Sequence, residues 1–358
     1  MTAQYAKRRR KTRQWLEDSG ADAMLVTSAP NAYYLTGFRG EGMVLVGDEC
    51  VISTDRRYEV EAGQVSGKLT TAFDPDGHLA GILAALRQAK VKRLVFEAET
   101  TTYAAYETLS ARMDGIELVP SRKVIEQQRV VKDKDEIAVI QRACDLISRV
   151  LESFAEGLQP GVTEKEAALE LDRLAMLAGS EKVAFDTIMA FGPSAAKPHA
   201  VPSDRALEPG MMVKIDCGAR VDGYCSDITR TYIIGEPDRQ LSEIYTAVYE
   251  AQAAAVAACR PGMKASLLDA VAREMLSERG YGEQFAHSLG HGVGLEIHEL
   301  PRVSERSEDE LKAGMVITIE PGLYLEGWGG VRIEDTVLLT RGGYQVMTSA
   351  PKQVIGDP

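Results

Sequence analysis

Cysteine, histidine and aromatic residues are scarce in this chain, and positive charge is in deficit. The five cysteines (Cys50, Cys144, Cys217, Cys225, Cys259) are odd in number and form no Cys-x-x-Cys pair, which argues against a disulfide framework and for a reducing compartment. A formal net charge of -12 argues against a general nucleic-acid or anionic-membrane binder, since both need a basic surface. No apolar run approaches the roughly 18 residues that cross a bilayer. The basic string Lys7, Arg8, Arg9, Arg10, Lys11, Arg13 is followed by Glu17 and Asp18 and by no apolar segment, so it reads as a solvated helix face and not as a targeting signal. A cytoplasmic protein acting on small molecules is expected.

What is present is enough for two cores. The chain has 358 residues, 45% hydrophobic and 26% charged, a length that suggests two domains. The first third alternates patterns: a polar helix near 3 to 19, a strand over 23 to 28, the NAYYLTGF turn region, strands MVLVG and CVIST, a helix HLAGILAALRQA and a strand RLVFEA. Charged residues then dominate from about 119 to 135, after which Ile137, Val139, Ile140, Ala143, Ile147, Val150 and Leu151 follow the 3.6-residue period of a long helix. Further helices are expected over 164 to 178, 241 to 258 and 264 to 279, with Gly161, Gly179 and Gly280 as punctuation. The fold class is α/β (α+β): a small α/β domain over 1–125, then a domain over 126–358 in which helices pack on a sheet.

Chemistry concentrates in the second domain. In VKIDCGARVDGYCSDITRTYI, the Asp222-Gly223 dipeptide favours a two-residue hairpin turn. That turn sets Val221 opposite Tyr224, Arg220 opposite Cys225 and Gly218 opposite Asp227, so Asp216 shares a face with Asp227, roughly 7 to 8 Å away on the diagonal. Cys217 and Ile228 then point to the other face. In HSLGHGVGLEIHE, three of the five histidines (His287, His291, His298) stand among three glycines, which permit close backbone approach around a site. ITIEPGLY and GGVRIEDT each carry a glutamate, Glu320 and Glu334, at the end of an apolar alternating run, and the GWGG connection can fold them as a second hairpin. Taken singly, each of these residues is an ordinary turn, surface or structural group. Gathered together, four carboxylates repel one another, and a pair of divalent cations is the usual physical reason to tolerate that. One imidazole with four carboxylates suits Mn²⁺, Co²⁺, Fe²⁺ or Zn²⁺, and two such ions can activate a shared water for hydrolysis.

The strings IDCGARVDGYCSDITRTY, GHGVGLEIHE, TIEPGLY and GGVRIEDT resemble those of the pita-bread metallopeptidases, the creatinase/prolidase-like family that includes Xaa-Pro dipeptidase and Xaa-Pro aminopeptidase. The resemblance spans 126–358, and the first third, with PNAYYLTGF, is similar to the family's N-terminal domain. It implies that Asp216 binds one metal ion, that Asp227 and Glu334 bridge two, and that His291 and Glu320 complete the sites. It further implies that Glu320 shuttles a proton from the bridging water toward the leaving nitrogen, that His298 hydrogen-bonds the oxyanion, and that His199 lies near the scissile amide. Arg332 matches an active-site arginine, His287 and Thr229 match supports of the ligands, and Tyr224 matches a tyrosine of the same motif. Two divalent ions, Mn²⁺ first and otherwise Co²⁺, Fe²⁺ or Zn²⁺, small peptides with proline second, and a homodimer are the implied cofactors and partners. The string around His199 departs from the family pattern: it contains Lys197 and lacks the asparagine expected after Pro193.

The leading expectation is hydrolysis of Xaa-Pro dipeptides. The alternative within the family is an aminopeptidase P acting on longer peptides. A metal-free binding protein or creatinase-like enzyme is the reading from another class, and members of that kind typically lack the acidic ligands, all of which stand here.

Overall fold

A computed structural model describes residues 2–65, 69–73 and 77–352. The chain divides into two compact units, Met1–Arg129 and Val130–Pro358.

The first unit runs α1 (Thr2–Ser19), β1 (Ala23–Val26), α2 (Ala29–Thr36), β2 (Gly42–Val46), β3 (Cys50–Thr54), α3 (Glu59–Gln64), β4 (Thr70–Phe73), α4 (His78–Ala89), β5 (Arg93–Glu97), α5 (Tyr103–Arg112), β6 (Glu117–Ser121) and α6 (Val124–Arg129). Its six-stranded sheet has the order β4-β3-β2-β1-β5-β6. Strands β1, β2 and β3 are antiparallel neighbours, while β5 and β6 extend the sheet in parallel. Leu25, Leu45, Ile82, Leu86 and Leu94 form its core.

Two expectations fail here for local reasons. The NAYYLTGF region is mostly helix, because Pro30 opens α2 and Gly37, at φ +81°, closes it in the left-handed region. The basic string of α1 is not simply a solvated face: Arg8 and Arg9 are buried. Arg8 Nη1 donates to Tyr34 O at 3.1 Å and Arg9 Nη1 to Leu35 O at 2.7 Å, so the cations satisfy the last carbonyls of α2.

The second unit contains α7 (Lys134–Glu156), α8 (Glu164–Leu177), β7 (Ile188–Phe191), β8 (Met212–Cys217), β9 (Arg220–Val221), β10 (Tyr224–Cys225), β11 (Ile228–Ile233), α9 (Arg239–Ala258), α10 (Ala265–Glu278), β12 (Gly290–Gly292), β13 (Glu299–Val303), β14 (Val316–Ile319), β15 (Gly322–Leu325), β16 (Gly329–Arg332), β17 (Asp335–Thr340) and β18 (Gly343–Val346). Capping boxes start α7 at Asp133 with Glu136 and α8 at Thr163 with Glu166. The apolar faces of α7 and α8 pack on the sheet β11-β8-β7, burying Ile147, Leu151 and Leu171 against Val213, Ile215 and Ile228. Helices α9 and α10 pack in the same way on β13-β12-β14-β17-β18, burying Val248 and Leu268 against Ile317 and Val337. Two helix-on-sheet halves thus make one mixed α/β unit, with polar faces of both sheets left to build a site.

Candidate metal centre

The first carboxylates come from the expected hairpin. Asp222 and Gly223 sit at φ +46° and +82°, the two positive angles of a type I′ turn. The register sets Tyr224 opposite Val221, Cys225 opposite Arg220, and Thr229 opposite Asp216. Cys217 and Ile228 face the hydrophobic core, which leaves Asp216 and Asp227 on the polar side.

The second hairpin supplies the glutamates. Strands β14 and β17 pair Ile319 with Asp335, and β15 and β16 pair Gly322 with Arg332. Both ladders keep one register, so Glu320 and Glu334 face each other in the break between them. Pro321 explains the break, since it has no N–H to give to a ladder. His291 arrives on β12 between Gly290 and Gly292. A Cβ on Gly290 would lie 2.0 Å from Thr318 O, and one on Gly292 2.2 Å from Leu300 O, so only glycine lets β12 lie this close to its neighbours.

Among the described residues, ligand atoms of Asp227, His291 and Glu334 fall within 4.8 Å of one another. His291 Nε2 is 3.6 Å from Asp227 Oδ2 and 3.3 Å from Glu320 Oε1. Its Nδ1 lies 3.0 Å from Gly292 O, which assigns the proton to Nδ1 and leaves the Nε2 lone pair facing the carboxylates. Arg332 is buried and ties the cluster together. Its Nη2 pairs with Asp216 Oδ2, Nε donates to Thr229 Oγ1 at 3.0 Å, and Nη1 donates to Pro198 O at 3.1 Å and Tyr324 OH at 2.9 Å. Thr229 Oγ1 in turn donates to Glu334 Oε2 at 2.7 Å.

One arginine does not neutralise four carboxylates. Burial, then repulsion from Glu334 and Asp216, pushes Asp227 well above the usual carboxylate range. Glu334 is pushed up in the same way, by burial and then by Glu320. Burial raises Glu320 to about 7 although Arg332 pulls it down. Asp216 Oδ1 and Glu334 Oε1 are buried with no hydrogen-bond partner, an arrangement costly for a carboxylate facing nothing. Hard oxygen donors, two of them orphaned, around one neutral imidazole nitrogen fit divalent cations.

The remaining expected residues divide into two groups. His298 stacks edge-on against His291, ring centroids 4.3 Å apart, and burial lowers its pKa. His199 is exposed in the loop before Ala200. Burial holds His287 down at about 4; its Nδ1 meets Ser288 O at 2.8 Å and its Nε2 meets Tyr324 OH at 3.0 Å. The Tyr224 hydroxyl donates to Glu136 Oε1 at 3.0 Å and supports the start of α7.

Three contributors escaped the sequence reading. Tyr324 links Arg332 to His287, and it belongs to the same ITIEPGLY string as Glu320. Thr318 accepts from His291 N at 3.0 Å and donates to Glu320 Oε1 at 3.1 Å, which parity with Glu320, the residue after β14, could have shown. Lys214 shares the face of Asp216 by the same parity.

Residues 138–341 match metallopeptidase family M24, and residues 8–131 match the creatinase/prolidase N-terminal domain. The chain is 40% identical over 353 residues to the Xaa-Pro dipeptidase of Pyrococcus furiosus, covering 98% of this chain and 99% of that protein. Its structure is similar to that of the Xaa-Pro dipeptidase from Bacillus anthracis, with a TM-score of 0.94, 36% identity, and 98% and 99% of the two chains covered. It is also similar to the X-Pro aminopeptidase from Thermotoga maritima, with a TM-score of 0.88, 36% identity, and 94% and 97% covered. The chain therefore belongs to metallopeptidase family M24 and carries the creatinase/prolidase N-terminal domain ahead of the peptidase domain.

Proposed function

We propose that this peptidase hydrolyses the bond between a first residue and proline in Xaa-Pro dipeptides, with two divalent ions held by Asp216, Asp227, His291, Glu320 and Glu334. The observation that carries this reading is the pair of orphaned buried oxygens, Asp216 Oδ1 and Glu334 Oε1, within a cluster of carboxylates facing His291 Nε2. When bound, the ions supply Lewis acidity and charge compensation at neutral pH. Mn²⁺ is the proposed ion, with Co²⁺, Fe²⁺ and Zn²⁺ suited by the same donors.

The chain's own groups do the rest. Glu320 takes a proton from the attacking water and passes it toward the leaving nitrogen. His298, beside His291, donates to the oxyanion as it develops, and His199 contacts the substrate near the scissile amide. Arg332 is buried and committed to four protein groups, so its role is to orient Asp216, Thr229 and Tyr324 and not to hold substrate directly. Thr229 and His287 orient Glu334 and Tyr324. Among the described residues no helix is long and apolar enough to cross a membrane, and the five cysteines are free, in keeping with a cytoplasmic enzyme. A homodimer is the proposed assembly, and light scattering checks it.

Likeness to the dipeptidases of Pyrococcus furiosus and Bacillus anthracis supports dipeptide substrates, whereas likeness to the Thermotoga maritima enzyme supports an aminopeptidase acting on longer peptides. Comparing kcat/KM on Ala-Pro and Ala-Pro-Ala after reconstitution with Mn²⁺ separates the two. A dipeptidase loses activity when the terminal carboxylate is extended; equal or better cleavage of the tripeptide sinks that reading in favour of the aminopeptidase.

A further inference from the structure

Lys214 stands two residues before Asp216 on β8, on the face opposite Val213, Ile215 and Cys217, which pack in the core. Its side chain is fully buried, and an amino group leaves water at high cost unless its donors are met. They are met by backbone carbonyls of a single segment: Nζ donates to Ala195 O at 3.0 Å, Lys197 O at 2.6 Å and Pro198 O at 3.5 Å. Nζ also lies 4.9 Å from the centroid of the Tyr324 ring. Arg332 Nη1 gives Pro198 O a second donor at 3.1 Å.

The ends of the same segment are tied by a buried acidic side chain. Glu164, the first residue of α8, is fully buried. Phe191 N donates to its Oε1 at 2.8 Å, and Ser203 donates to its Oε2 through N at 2.8 Å and Oγ at 2.5 Å. An acidic side chain therefore gathers donors at both ends of the loop, and the Lys214 amino group gathers acceptors in its middle. His199 follows directly after the last carbonyl that Lys214 holds. Packing alone gives no reason for a lysine here, since an unbranched apolar side chain fills a buried strand position without the cost of desolvating an amino group.

We propose that Lys214 is a positioning residue for peptide cleavage: by gathering the carbonyls of Ala195, Lys197 and Pro198 it sets where His199 meets the substrate. The inference rests on the proposed substrate-facing role of His199. Lys214→Met keeps the volume and removes the donors. In the Mn²⁺-loaded enzyme its kcat/KM on Ala-Pro is expected to fall about 100-fold, the scale of a 1 Å misplacement of a substrate-positioning group. Because Lys214 acts through His199, Lys214→Met combined with His199→Ala is expected to be no worse than His199→Ala alone. Losses that multiply would overturn the proposal.

Amide hydrogen exchange gives a readout that does not depend on turnover. With or without Mn²⁺, Lys214→Met is expected to accelerate exchange about 10-fold over residues 192–199 and to leave β14 and β17 unchanged. Unchanged exchange in that segment overturns the proposal. Acceleration confined to the segment in a chain whose wild type does not cleave Ala-Pro upholds the hold of Lys214 on the loop and sinks only the assigned substrate. If Lys214→Met fails to fold, Lys214→Gln, which keeps a neutral donor, is read by the same exchange and the same double variant.

Discussion

Glu320 and Glu334 face each other across the break between two ladders of one hairpin, where Pro321 interrupts the pairing. Regular strands flank both residues, so the two carboxylates are held together by the backbone itself, and they cannot separate to relieve their repulsion. The fold thereby stores a site for positive charge, and several consequences can be measured.

Stability of the metal-free protein depends on pH in the direction opposite to that of most salt-bridged carboxylates. Glu320 has an ordinary value of 4.5 and is raised to about 7 in the fold, so the folded state binds the proton more tightly than the unfolded one. Its contribution is full below 4.5 and is lost as pH rises through about 7. Asp227 and Glu334, raised by burial and mutual repulsion, act with the same sign. Thermal unfolding of metal-free protein is expected to give a falling Tm between about pH 6.5 and about pH 8, above the range in which the depressed His287, His291 and His298 oppose the trend, with Mn²⁺ restoring stability at the upper end by binding the folded state. A metal-free Tm that rises over this window contradicts the arrangement.

Glu320→Gln separates stability from chemistry. Removing one ionisable acid relieves the repulsion, so the metal-free variant is expected to melt higher than wild type at about pH 8, while turnover falls about 1,000-fold or more with the loss of a ligand and proton carrier. Cys217→Ala, facing the core on the other side of β8, is expected to keep most turnover and to lose only modest stability. Full activity in Glu320→Gln removes the proposed shuttle.

Arg332→Lys is not conservative here. The guanidinium reaches Asp216, Thr229, Tyr324 and Pro198 at once, and a lysine can serve only part of that fork. A loss of kcat/KM of about 100-fold with a lowered Tm is expected by steady-state kinetics and calorimetry. An unchanged variant shows that the network does not orient the site.

Tyr324→Phe deletes the one hydroxyl between Arg332 and His287. The neutral His287 ring, held down at about 4 by burial, then loses its hydrogen-bond donor at Nε2. A drop in kcat of about 10-fold is expected, about 1.4 kcal/mol, with metal content unchanged. Loss of bound metal instead places Tyr324 closer to the ions than its contacts indicate.

Much of the second unit is legible in the sequence because its signals are local. The Asp222-Gly223 turn fixes the register of Asp216 and Asp227, and the long period of α7 needs no tertiary information. Parity alone could not reveal that Glu320 and Glu334 oppose each other, because that depends on two separate ladders keeping one register across Pro321. Glycines around His291 announce close approach without saying what approaches: Thr318 on one side and Leu300 on the other. The first unit is harder. Strand β6 lies at a sheet edge with Glu117 and Pro120 exposed, and α5 buries little beyond Leu109, so neither carries a strong period. Arg8 and Arg9 look like surface charge until the carbonyl end of α2 is seen beside them.

The account is tested most directly by counting metal ions against turnover as Mn²⁺ is returned to metal-free protein. Two ions per chain are expected, with release of free proline from Ala-Pro rising as they bind and neither occurring in Asp227→Asn. Full proline release with no ion bound, or no binding by a folded chain at millimolar Mn²⁺, contradicts it.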